Sequence, residues 1–475
     1  MPDRLIYVGK NPINPSLHIN GPASRGKYIA LSHCWGGQAS LRLTNDTLDD
    51  FKGGILWTEI PLTFKHAIKI CRLLGVDYIW IDSLCIIQDS PDDWFTQASK
   101  MCDIYSNSWV TIAADGAPNS THGFLTDERR QMKVKRFQCP GQNRQDSEIR
   151  VRRRGSGVLR DSFSHHHWLA PPRSPLSSRG WILQESLLSP RILHYTAEEL
   201  TWECSVESRC ECQVRPHQFG VERPLRLMVD DLPFEDKWAT LVDHFTNRSL
   251  TDQHDKLPAI AGLARQMHNA TAASYWAGLW SDTFPRALLW WILDRYHSLD
   301  PVKCISRRIV PYQAPTWSWA SVTGRVMLAH RETALISDLE DFTLSVVPKG
   351  IDPYGSLQSA SITAKAYLAL VSVSDSPGPN EEYIGYKFHA TSCLALDGES
   401  LSGIIEPDVL GDGYEINLLQ PHWILIIGHA ANVAHGILVR EAREAPNTYE
   451  RVGFFNPLDY TKWTTIATRQ HVTLI

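Results

Sequence analysis

The sequence predicts an α/β protein: a mostly parallel sheet with helices on both faces, then a helical region and a β-rich C-terminal region. Two apolar runs, residues 28–34 (YIALSHC) and 78–84 (YIWIDSL), each end in a cluster of polar side chains, as buried parallel strands do at the carboxyl edge of a sheet. Helical periodicity fills the stretches between such runs. Beyond Pro311 the pattern turns to alternating segments broken by Gly, Pro and Asn, which points to a sandwich or barrel-like tail.

Taken in order, Ile60, Phe64, Ala67, Ile68, Cys71 and Leu74 recur at steps of three and four, with Pro61 at the start and Gly75 at the stop of a helix. That helix leads into the strand at 78–84. A second helix opens with Ser90-Pro91-Asp92-Asp93, a capping box with proline in the first turn, and is expected to bury Trp94, Ala98, Met101 and Tyr105. It stops before the strand at 109–114. Strand, helix, strand, helix, strand implies parallel pairing with right-handed crossovers.

From 129 to 160 apolar periodicity fades and Arg and Lys gather, a solvated loop or edge hairpin more than a phosphate platform, because Phe137 is the one aromatic among them. A short helix is expected over 179–185 and a hairpin from 191–195 and 200–204 around Glu198-Glu199. Helical text follows at 238–245, 257–267, 273–280 and 287–292, and strands at 361–372 and 423–439. The expected division is 1–215, 216–310 and 311–475.

Bulk properties narrow the function. With 47 basic and 52 acidic residues the net charge is -5, so no polyanion is attracted and no nucleic-acid partner is expected. Two apolar stretches, 275–293 and 423–439, carry Asp282, Arg286, His429 and His435 and are too polar for a membrane span. The first ten residues lack the apolar segment of a secretory signal, and ten cysteines in 475 residues sit mostly alone in apolar runs. A reducing, cytoplasmic location fits. The 17 tryptophans are read as core and packing residues.

The residue types at the two strand ends could do chemistry. A Cys85 thiolate with His33 as base and Asp82 orienting the imidazole would make a nucleophilic pair, while the bland alternative has Cys85 in the core and Asp82 capping a turn. There is no dinucleotide fingerprint, Walker loop or nucleophile elbow. Cys204, Cys210 and Cys212, with one of His165, His166 or His167, form a weak zinc candidate at unusual spacing.

Four blocks go further: 28–36 (YIALSHCWG), 62–68 (LTFKHAI), 78–89 (YIWIDSLCIIQD) and 179–185 (RGWILQE). In content and order they resemble the signature blocks of the fungal heterokaryon incompatibility domain family, and 255–264, 275–280 and 315–320 resemble its helical continuation. The resemblance implies a filamentous-fungal protein of non-self recognition and programmed cell death, with a flavodoxin-like core similar to TIR domains. Within these blocks, His33, Asp82, Cys85 or Glu185 are the candidates for acid and base should the pocket do chemistry, and Ser32, Trp35, Gly36, Gln88, Asp89, Gln97, Arg179, Trp181 and Gln184 are the candidates for ligand contacts. TIR-like domains can cleave NAD with a helix-borne glutamate. This family usually has Glu three residues after the helix Trp, but here the run is Trp94-Phe95-Thr96-Gln97. An amide can neither carry the charge that stabilises an oxocarbenium-like state nor accept a proton, so cleavage by that route is not expected. The residues fix no cofactor; NAD or a related nucleotide, another small molecule, a protein partner or a homo-oligomer remain open. So does a small-molecule enzyme of secondary metabolism using the same pocket for acid/base chemistry.

Overall fold

The computed structural model describes residues 1–10, 14–37, 41–125, 135–139, 147–151, 174–197, 200–211, 231–293, 306–329, 335–377, 384–390, 402–409, 416, 418, 420–443, 445–455 and 458–475. The chain divides into two compact units, Met1–Asp231 and Leu232–Ile475.

The first unit is built on strands β1 (Arg4–Tyr7), β2 (Ser16–Ile19), β3 (Ile29–Ser32), β4 (Tyr78–Trp80) and β5 (Val110–Ala113). A separate hairpin, β6 (Lys135–Cys139) and β7 (Ser147–Val151), falls in the basic stretch, and β8 (Arg191–Tyr195), β9 (Leu200–Cys204) and β10 (Ser208–Cys210) complete the sheet. The order is β10-β9-β8-β5-β3-β4-β1-β2. β8, β5, β3 and β4 run parallel, whereas β1, β2, β9 and β10 join antiparallel. The expected mostly parallel sheet is therefore a mixed one with a four-stranded parallel centre. Short connections join β1 to β2, β8 to β9 and β9 to β10, and these allow antiparallel pairing, whereas β1 meets β4 antiparallel with no direct connection between them.

The helices are α1 (Leu48–Gly53), α2 (Leu62–Leu73), α3 (Asp82–Cys85), α4 (Pro91–Ser106) and α5 (Ile182–Leu188). Ser90 caps α4, accepting the Asp93 amide, and Pro91 takes the first helical position. Met101 and Tyr105 on α4 are buried, while Trp94 and Ala98 are only half-buried. The step from β3 to β4 runs one way across the sheet and the step from β4 to β5 runs the other way. Right-handed crossovers then put α2 and α4 on opposite faces, and α5 packs beside α4. The chain thus has a topological switch point at the carboxyl end of β3, the place where such sheets leave a crevice. The strand expected over 78–84 stops at Trp80, because Asp82 opens the single helical turn α3 and accepts the Ser83 amide.

The second unit begins with helices Phe234–Thr246 and Pro258–Thr271, as expected. The helix expected over 273–280 is instead a hairpin, Tyr275–Trp276 paired with Leu279–Trp280. Ala277 (φ 51°) and Gly278 (φ 93°) both take the left-handed conformation that a two-residue hairpin turn demands, and the flanking aromatics favour strands. Likewise 287–292 holds a 3-10 turn and the strand Trp290–Ile292. The rest is a large, nearly all antiparallel sheet threaded by the 21-residue strand Leu357–Pro377. Ile405, Ile424, Ile426, Leu438, Phe455 and Trp463 form its core. Trp280, Trp290, Trp317, Trp319 and Trp463 are fully buried, which places these tryptophans in the core. Among the described residues no helix is long and apolar enough to cross a membrane.

Candidate functional site

β3 ends in Ser32, followed by His33, Cys34 and Trp35; β4 ends at Trp80, two residues before Asp82; α5 carries Glu185. The topology brings these three segments to the switch point. The Ser32 hydroxyl donates to Glu185 Oε2 at 2.6 Å, and the Tyr105 hydroxyl, from α4, lies 2.9 Å from the same oxygen. Tyr105 also lies 3.3 Å from the Leu31 carbonyl. Glu185 is 6% exposed. Burial pushes its carboxyl up to about 7, opposed by the Ser32 hydrogen bond; Asp82 pushes the same way as burial, and Arg179 and Tyr105 against it. A carboxyl placed there can give or take a proton near neutral pH.

His33 is buried, its ring edge-on to Phe64 with centroids 4.9 Å apart. Neither ring nitrogen has a hydrogen-bond partner among the described residues, and Nδ1 lies 3.7 Å from Asp82 Oδ1. Burial lowers its basicity against the pull of Asp82, and Arg179 lowers it further, so the ring is neutral at pH 7. Trp35 Nε1 donates to Asp82 Oδ2 at 2.7 Å and so fixes which carboxylate oxygen turns toward His33. Arg179 donates to the His33 carbonyl at 2.6 Å, tying the segment before α5 to the end of β3. Ser32, His33, Asp82, Arg179 and Glu185 therefore share one neighbourhood. Gly36 is held at φ 77° with the space for a Cβ filled by Asn119, so only glycine fits this loop.

Other expected residues have different surroundings. Cys85 is in the core, where burial pushes its thiol up to about 12, and its carbonyl accepts from Arg4. It is an un-ionised thiol at neutral pH, which argues against a nucleophilic role. Gln88 donates to the carbonyl oxygens of Ile86 and Asp82, and Asp89 accepts from Asn45. Both brace the loop after α3. Gln97 is buried and donates to Asp3 Oδ2 at 2.9 Å, an oxygen it shares with Lys100. It stands eight residues, about 12 Å of helix rise, from Tyr105. Trp181 lies edge-on to Trp94 with centroids 6.4 Å apart, and Gln184 is buried next to Glu185 in the chain.

Of the zinc candidate, Cys204 is a half-buried free thiol. Cys212 and residues 165–167 fall outside the described residues, as does the Cys210 side chain, and no group of three metal-ligating side chains occurs among those described. Sequence reasoning missed a second polar cluster at the same sheet edge. His194 Nδ1 lies 2.8 Å from Asp115 Oδ2 and Nε2 3.5 Å from Glu203, and Ser174 donates to Asp115. Burial disfavours the charge on His194, yet the two carboxylates raise its imidazole to about 10, so it is a cation clamped between anions. Only the pairing of β5 with β8 reveals this, because Asp115 lies 79 positions from His194 in the chain.

Residues 28–185 match the family model described as heterokaryon incompatibility protein (HET). The chain carries a heterokaryon incompatibility domain. The matched segment starts at Tyr28, just before β3, and ends at Glu185, so the HET domain's first strand and its last residue meet in the Ser32–Glu185 hydrogen bond. Comparisons with curated proteins and with solved structures returned no match.

Proposed function

We propose that this HET domain protein acts in non-self recognition leading to programmed cell death, and that its TIR-like pocket binds a ligand at the end of β3 without cleaving NAD. Gln97 carries this reading. The α4 position where a glycosidic carboxylate is expected holds an amide, and that amide is spent on Asp3. Without a negative charge there, an oxocarbenium-like state gains no stabilisation from α4. The switch point at the end of β3, where His33, Asp82 and Trp35 come together, supports ligand binding. The test is to incubate the full chain with NAD and follow nicotinamide release. No release above background is expected; rapid release abolished by Glu185→Gln would overturn the reading and transfer the carboxylate role to Glu185.

A second reading, an acid/base enzyme of fungal secondary metabolism, is favoured by one observation: Glu185 has its carboxyl raised to about 7, at the same sheet edge as the His33–Asp82 pair. Polyketide or terpene synthase genes beside its gene, together with turnover of their product by the purified protein, would establish it. The same turnover in Glu185→Gln would remove Glu185 from that role.

A further inference from the structure

The strand Glu340–Pro348 in the second unit is unusual in that none of its nine residues is buried. It pairs on one side only, antiparallel to 357–365 within Leu357–Pro377, and no described residue pairs with its other edge. The register is regular from Thr343↔Thr363 to Val347↔Ser359, with an irregularity on either side of it, between Glu340 and Thr343 and between Val347 and Pro348. Phe342 anchors the first irregularity, packing on Phe284 with centroids 4.9 Å apart and on Trp276 at 6.5 Å. What projects is therefore Thr343-Leu344-Ser345-Val346-Val347, a short β-prone segment with an open row of backbone groups and Val347 39% exposed. Such an edge is a template for another strand unless charge or proline blunts it, and here the charges and the proline stand outside the five central residues.

We propose that this edge pairs with the same edge of a second copy of the chain, antiparallel about a twofold axis at Ser345. The charges select this occupant. The strand begins with Glu340 and Asp341 and is followed by Lys349, and antiparallel self-pairing about Ser345 brings the acidic start of each copy towards the Lys349 end of the other. A parallel pairing would set like ends together. Leu344 then stands opposite Val346, and Thr343 opposite Val347, so each face of the ribbon gains an apolar cross-strand contact. The twofold also makes the interface closed, which stops at a dimer instead of growing into a fibre.

Ser345 is the residue that meets itself, and it is exposed, so its replacement leaves the monomer's core intact. Sedimentation velocity over a range of concentrations should show the wild-type chain dimerising. Ser345→Lys and Ser345→Asp should each lose the dimer, because like charges then oppose each other on the axis, and an equal mixture of the two should recover it. A monomeric wild type, dimers that persist in both variants, or a mixture that stays monomeric would each overturn the proposal. Should either variant fail to fold, hydrogen exchange of the wild-type amides at 343–347 decides: slower exchange at concentrations where the chain associates is expected, and unchanged exchange would overturn it.

Discussion

Ser32 and Glu185 stand 153 positions apart in the chain, and the hydroxyl of one donates to the carboxylate of the other at 2.6 Å in the interior of the HET domain. The bond ties β3 to α5, and Tyr105 draws α4 to the same oxygen. Three elements of the domain thus converge on one buried carboxyl group. Its protonation state is consequently coupled to the packing around it.

Glu185 should leave a mark on stability against pH. Its carboxyl is raised from an ordinary 4.5 to about 7 in the folded chain, so the folded state binds this proton more tightly than the unfolded state does. The group's contribution is fully present below about pH 4.5 and is lost as pH rises through 7, a change on the order of 3 kcal/mol. Denaturant melts at pH 5, 6, 7 and 8 should show this loss in the wild type and not in Glu185→Gln. Equal slopes in the two proteins would refute it.

Removing either hydroxyl should be costly and the two losses should interact. Ser32→Ala and Tyr105→Phe each take away one donor from a buried carboxyl, at about 1 to 2 kcal/mol apiece. Because both act on one oxygen, the double variant should depart from additivity by roughly 0.5 kcal/mol or more. A strictly additive double-mutant cycle would show that the two hydroxyls act independently.

The buried His33 ring carries two nitrogens without a hydrogen-bond partner among the described residues. Their desolvation is a standing cost, so His33→Phe, which keeps a flat ring against Phe64, should hold or raise the melting temperature, whereas His33→Ala should lower stability by about 2 kcal/mol through the cavity it leaves. If both variants were equally destabilised, the ring nitrogens would have partners that the buried geometry does not reveal. Ligand binding should fail in both.

The loop after β3 offers an internal control. Gly36 and Gly37 both have positive φ, but a Cβ on Gly36 would stand 2.0 Å from Asn119 Cβ, and one on Gly37 would meet nothing within 4 Å. Gly36→Ala should therefore cost well over the roughly 1 kcal/mol expected of Gly37→Ala from backbone strain alone. Thermal melts of the two variants give the comparison directly.

Much of this was legible in the sequence, for definite reasons. The parallel centre and α2 and α4 follow from apolar spacing, Pro61, Gly75 and the Ser90 cap, which are local signals. Asp82 was misplaced on a strand because one helical turn is too short to show a period. The sequence suggests a helix at 275–280 because its alanines and aromatics satisfy helical spacing, whereas the left-handed pair Ala277 and Gly278 makes it a hairpin. Tyr105 can be recognised as a buried position but not as Glu185's partner, and Asp115 cannot be grouped with His194 and Glu203, although the expected hairpin already brings those two together. Those relations depend on strand order, which no local pattern encodes.

The distance between Ser32 and Glu185 along the chain also sets a timetable for synthesis. A ribosome adding roughly 5 to 20 residues per second needs about 8 to 30 seconds to get from one to the other. Throughout that interval the emerging chain already holds His33 and soon Asp82, but not the carboxyl group that completes the centre. A chain terminated anywhere before residue 185 would be stranded at that stage. Premature stop codons across the whole HET segment, including its last few positions, are therefore expected to behave as complete losses of function, not as partial ones.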